Sequence, residues 1–142
     1  MDWFSRKVLS WRISNTLEVT FCVEALQEAI DGYGSPEIFN SDPGSQFTSN
    51  RFTACLKAAG TQISMDGRGR CHDNIFIERL WRTLKYELIY LMAFEDGIHL
   101  HREVRKWFDW YNEERPHQAL DYRTPDRMYW EKREKRISNG FS

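Results

Sequence analysis

Short apolar stretches, each cut off by glycine or proline, alternate along this chain with longer segments of helical period, and that alternation limits what it can fold into. Glu37–Ser41 lies between Gly32-Tyr33-Gly34-Ser35-Pro36 and Asp42-Pro43-Gly44, and Gln62–Met65 follows Gly60. Stretches this short and so punctuated fit strands. Between them Phe52, Cys55, Leu56 and Ala59 recur at helical spacing, which predicts a helix from Ser49 to Ala59 stopped by Gly60. Upstream, a helix is expected from Asn15 or Thr16 to Asp31, with Leu17, Phe21, Val23, Leu26 and Ile30 on its apolar side and Asn15 with Glu18 as a capping box. Ahead of that, Trp3-Phe4, a turn at Ser5-Arg6-Lys7 and the period-two run Val8–Ile13, with Leu9, Trp11 and Ile13 on one face, predict a β-ribbon. Downstream, one helix is expected from Asn74. Another should run from Asp96 to Glu114, where Leu100, Val104, Trp107, Phe108 and Tyr111 stand at offsets of 4, 7, 8 and 11, and Pro116 ends it. Thr124-Pro125 opens a last helix in the favoured order of N-cap then proline, and Lys132–Arg136 and the final Ser138-Asn139-Gly140 are expected to fray. The order of elements is that of a mixed α/β sheet domain.

Several classes are excluded early. No apolar run of about 18 residues exists, and Met1-Asp2-Trp3-Phe4-Ser5-Arg6-Lys7 has no signal-peptide core, so neither a membrane nor secretion is expected. Cys22, Cys55 and Cys71 are scattered without a CxxC pair, which suits reduced thiols in a cytoplasmic protein and offers no zinc-finger spacing. The formal net charge is −1, but it is unevenly spread. Residues 1–67 carry five basic and eight acidic side chains, and residues 68–142 carry fifteen and thirteen. Arg68, Arg70, Arg79, Arg82 and Lys85 face only Asp73 and Glu78 within one short segment. Such a cluster is either a solvated helix face or a place for a phosphate backbone.

Asp42 and Glu78 are the residues with the most chemistry to offer. Asp42 follows an apolar strand, Glu78 sits on a helix, and 35 residues lie between them. Carboxylates so placed can ligate hard divalent cations, and a pair of such ions can clamp the oxygens of a phosphoryl transfer. Plainer readings stand beside this one. Asp42-Pro43-Gly44 is a good turn sequence, and Glu78 with Arg82 makes an i,i+4 ion pair. Asn74, Glu78, Arg82 and Lys85 share one helix face.

Four motifs in order resemble one family. They are Ser41-Asp42-Pro43-Gly44-Ser45-Gln46-Phe47-Thr48-Ser49, Gly67-Arg68-Gly69-Arg70-Cys71-His72-Asp73-Asn74, Glu78-Arg79-Leu80-Trp81-Arg82-Thr83-Leu84-Lys85, and Tyr111-Asn112-Glu113-Glu114-Arg115-Pro116-His117-Gln118-Ala119-Leu120 followed by Thr124-Pro125. With their 35-residue gap they are similar to the retroviral-integrase-like core of bacterial insertion-sequence transposases, which use a DDE carboxylate triad. The resemblance implies a ribonuclease H-like α/β fold, with residues 1–94 as a partial catalytic core and residues 95–142 as its C-terminal helical extension. It implies magnesium- or manganese-dependent nicking and strand transfer in DNA transposition, in a bacterial cytoplasm and on the nucleoid when DNA is bound. Asp42 and Glu78 are then metal ligands and catalytic residues. Arg68, Arg70, His72, Asn74, Arg82, Lys85, Arg115 and His117 are DNA contacts, and the partners are transposon-end and target DNA and a second transposase copy. For Arg115 and His117 a helix-ending packing motif is an equal alternative.

Two departures qualify the match. Pro43 replaces a residue that is usually an amide, which pushes Asp42 toward extended backbone. The first acidic residue of the family precedes the segment that Met1–Val8 resembles. The expected core therefore lacks its first strand and has an incomplete metal site, inactive alone. Asp2 corresponds to a turn and is not assigned as a substitute. Two other readings follow: a non-catalytic transposase remnant with weak DNA binding or dimerisation, and a metal-dependent nuclease of the same fold.

Overall fold

The computed structural model describes residues 1–14, 18–41, 45–65 and 75–138. The chain forms two compact units, Leu9–Arg79 and Met1–Val8 with Leu80–Ser142.

In the first unit, α1 (Val19–Tyr33) leads to β1 (Ile38–Ser41), the single turn α2 (Ser45–Thr48), α3 (Asn50–Ala58) and β2 (Gln62–Met65). The two strands pair in parallel, Ile38 against Gln62 through Ser41 against Met65. A parallel pair needs a crossover, and α3 supplies it. Ser49 caps α3 by accepting from the Phe52 amide at 3.3 Å, and Gly60 leaves the helix with φ 73°. Leu26, Phe52 and Leu56 form the buried centre, with Val23, Ile30, Phe39, Phe47 and Ile63 packed round them. Phe52 meets the Phe39 and Phe47 rings at 5.5 and 5.3 Å. Both strands and α3 thus lie where expected. The capping box does not: Asn15 lies outside the described residues, and α1 begins at Val19 behind Glu18, which makes no side-chain cap.

The second unit contains most of α4 (Ile75–Glu87, continuous across the division), a 3₁₀ turn at Ile89–Leu91, α5 (Gly97–Glu113), a second 3₁₀ turn at Gln118–Leu120 and α6 (Pro125–Ser138). Asp96 caps α5 by accepting from the His99 amide at 2.7 Å, and Thr124 caps α6 by accepting from the Arg127 amide at 3.3 Å. Leu80, Leu84, Leu88, Val104, Trp107, Phe108, Tyr111 and Leu120 are buried. No helix of the described residues is long and apolar enough to cross a membrane.

The N-terminal ribbon is a correction. Its turn exists: Asp2 accepts from the Ser5 amide at 3.0 Å and the Ser5 hydroxyl at 2.6 Å, and Arg6 takes φ 64°. Asp2 is a turn residue, as its position suggested. No strand follows, however, among the described residues up to Ser14. The Val8 N–H and C=O are instead both satisfied at 2.9 Å by the side-chain amide of Asn112, which stands in for a strand neighbour. Nearby, the buried Lys7 pairs with Asp126 and lies 5.4 and 5.1 Å from the Tyr129 and Trp130 rings. Of the segments expected to fray, Lys132–Arg136 lies within α6, which continues to Ser138 with the Lys132 ammonium 4.1 Å from the Phe4 ring, and Asn139 and Gly140 lie outside the described residues.

Candidate functional site

Because β1 and β2 are parallel and Ser41 and Met65 are register partners, the chain leaves both strands at one sheet edge. In open α/β sheets that edge carries the ligand-binding loops. Asp42 is the residue after Ser41, and Arg68, Arg70, His72 and Asn74 follow β2; all five lie outside the described residues.

Glu78 is described. It stands in the first turn of α4 and is exposed. Among the described residues it has no hydrogen-bond or ion-pair partner. The i,i+4 pair with Arg82 that its spacing allows is not formed, and the Arg82 guanidinium lies 5.7 Å from the centre of the Tyr86 ring. Glu78 is thus an uncommitted hard oxygen donor, the kind a divalent cation takes. Among the described residues no group of three His, Cys, Asp or Glu side chains is placed to hold a metal.

Leu80 and Leu84 bury one side of α4, and Glu78, Arg82 and Lys85 share the exposed side. At 100° per residue, Trp81, Lys85, Glu78, Arg82 and Tyr86 succeed one another round an arc of roughly 140°. Two aromatic rings therefore flank the cations: Trp81 is 44% exposed and Tyr86 61%. Tyr90, 63% exposed, meets Tyr86 edge-on at 5.4 Å. The charge pattern of α4 does not single these rings out, although the helical spacing of Trp81 and Tyr86 is set by the sequence.

Arg115 and His117 sit in a packed knot. Arg115 donates from Nε at 3.2 Å and Nη2 at 2.8 Å to Oε1 of Glu87, and its guanidinium lies 6.0 Å from both the Trp110 and Tyr111 rings. Glu87 Oε2 is buried with no hydrogen-bond partner. The His117 ring abuts Tyr111 at 4.9 Å, and its Nε2 is 3.5 Å from Arg115 Nη1. Burial, reinforced by the Arg115 cation, pushes His117 down to about 4, so its imidazole is neutral near pH 7. Burial also raises the Tyr111 phenol to about 12. The packing reading of the Arg115-Pro116-His117 motif therefore has definite contacts behind it. Glu87, which anchors the knot, had no sequence signal beyond its place at the end of α4. Arg82, Thr83, Tyr86, Glu87 and Arg115 line a shallow hollow of about 340 Å³.

Sequence comparison matches residues 1–71 and residues 59–125 to two families, each described as an integrase core domain. The chain is 35% identical over 129 residues to the transposase for insertion sequence element IS904 of Lactococcus lactis subsp. lactis, covering 88% of this chain and 51% of that protein. It is 30% identical over 126 residues to the transposase for IS629 of Shigella sonnei, covering 88% and 43%, and 30% identical over 127 residues to a putative transposase for IS150 of Escherichia coli, covering 88% and 45%. The chain spans about half the length of the curated relatives it matches. Its order of motifs, its parallel strand pair and these matches agree, and the chain belongs to the integrase core family.

Proposed function

We propose that this chain is part of the catalytic core of a DNA transposase, with Asp42 and Glu78 as metal-ligating carboxylates and Arg68, Arg70, Arg82 and Lys85 as phosphate-positioning cations. His72 and Asn74 complete the DNA contacts beside them, while Arg115 and His117 act by holding the end of α4. Residues 1–94 make up the partial core and residues 95–142 its helical extension. The observation that supports this reading best is the exposed Glu78, without a hydrogen-bond or ion-pair partner among the described residues, sharing a helix face with Arg82 and Lys85. An anionic metal ligand beside two exposed cations suits the scissile region of a phosphodiester. A divalent ion bound there supplies Lewis-acid stabilisation of the phosphoryl oxygens. The side chains hold the strand through its phosphates, which fix register without reading sequence.

DNA titrations at several salt concentrations test the phosphate role. Four local cations predict a log–log slope no steeper than about −4 on duplex DNA and little sequence preference. Replacing Arg82 and Lys85 together with Ala should weaken binding to all duplexes alike and flatten the slope by about 2. Unchanged affinity in the double variant would remove α4 from the interface.

A further inference from the structure

We infer that Tyr86, with Tyr90 and Arg82, forms a stacking platform for an unpaired nucleobase, so that this surface takes single-stranded or frayed nucleic acid in preference to a closed duplex. The inference rests on the proposed DNA interface and deepens it. Single exposed aromatic residues are ordinary, but here two tyrosines touch on an exposed face beside Arg82, with Lys85 on the same arc and Trp81 beyond it. Burying these rings against an apolar protein surface would strand the adjacent cations. A nucleotide satisfies both: its base offers a π-face to the ring and its phosphate an anion to the guanidinium. The hollow between Tyr86 and Arg115 gives a base room beside the ring, and Thr83 and Glu87 line the same hollow. A closed duplex hides its base faces, so the preference for unpaired strands follows from the chemistry of the surface.

The test measures anisotropy of three labelled probes with the full chain at fixed salt: a twelve-nucleotide thymidine oligomer, an abasic oligomer of equal length and charge, and a hairpin duplex. The base-bearing strand should bind about tenfold more tightly than the abasic one, the increment of one base–aromatic stack. Tyr86→Leu should remove most of that difference while leaving abasic affinity and the salt slope unchanged. Tyr86→Trp, which keeps a ring, should retain it and shows that the loss is not misfolding. Equal affinity for base-bearing and abasic strands would overturn the platform yet leave the phosphate role standing. Failure of all three probes to bind would overturn both. If Tyr86→Leu left the oligomers bound as before but dissolved a dimer in sedimentation velocity, the rings would be a contact between copies and the inference would fall.

Discussion

Replacing Arg115 with Ala should cost the fold about 2 kcal/mol. An exposed ion pair is worth about 0–1 kcal/mol, and breaking a buried one costs about 3–5 kcal/mol. The Arg115 and Glu87 side chains are 26% and 33% exposed, which sets the pair between those limits. Two hydrogen bonds converge on one Glu87 oxygen while the other is already buried without a partner, so removing Arg115 leaves a partly desolvated carboxylate with nothing to offset it. Loss of the guanidinium from the Trp110 and Tyr111 rings adds some tenths of a kcal/mol. Urea denaturation followed by far-UV circular dichroism measures the difference, which corresponds to a fall in Tm of about 6–8 °C. A double-mutant cycle with Glu87→Gln should give a coupling of about 1 kcal/mol or more, and Arg115→Lys should recover only part of the loss because lysine lacks the planar fork. If Arg115→Ala cost less than about 0.5 kcal/mol and the cycle were additive, the packing role would be wrong and Arg115 would be a surface cation.

His117 gives a pH signature. Its pKa in the fold, about 4, is below the ordinary value, so the unfolded chain takes the proton first as pH falls. Its contribution to stability is complete above about pH 6.5, declines between about 6.5 and 4, and after solvent screening amounts to about 1–2 kcal/mol. Comparing urea midpoints of the chain and its His117→Gln variant at pH 7, 5.5 and 4 should show the gap narrowing toward acid; a constant gap would contradict the burial argument.

What the sequence made legible was local. Ser49, Asp96 and Thr124 cap their helices with the side-chain oxygen that their residue type offers, and Gly60 ends α3 in the left-handed region, so α3, α5 and α6 start or stop close to where punctuation placed them. The strands were short apolar runs with turn residues beside them, and the same edge was visible as the place where Asp42 follows. Failures came from distance. Val8 looks like the start of a strand until Asn112, 104 residues on, takes both its backbone groups, and no window of the chain contains both residues. The tail was expected to fray because the Lys132 contact with Phe4 is invisible locally. Glu87 and Arg115 are 28 residues apart, so the motif residue was found and its anchor missed. The exposed face of α4 is legible as charge, whereas its rings carry no charge signal, and periodicity weighs how apolar a side chain is and not what it lies beside.

Manganese binding tests the central claim most directly, through the free-ion signal in electron paramagnetic resonance, for the chain, its Asp42→Asn and Glu78→Gln variants, and an Glu113→Gln control at an exposed glutamate of α5. Asp42 and Glu78 as shared ligands predict that either substitution weakens uptake by a similar factor, that combining them adds little, and that the control matches the unaltered chain. Uptake unchanged by Glu78→Gln, or lowered equally by Glu113→Gln, would contradict the assignment of these two carboxylates to one metal site.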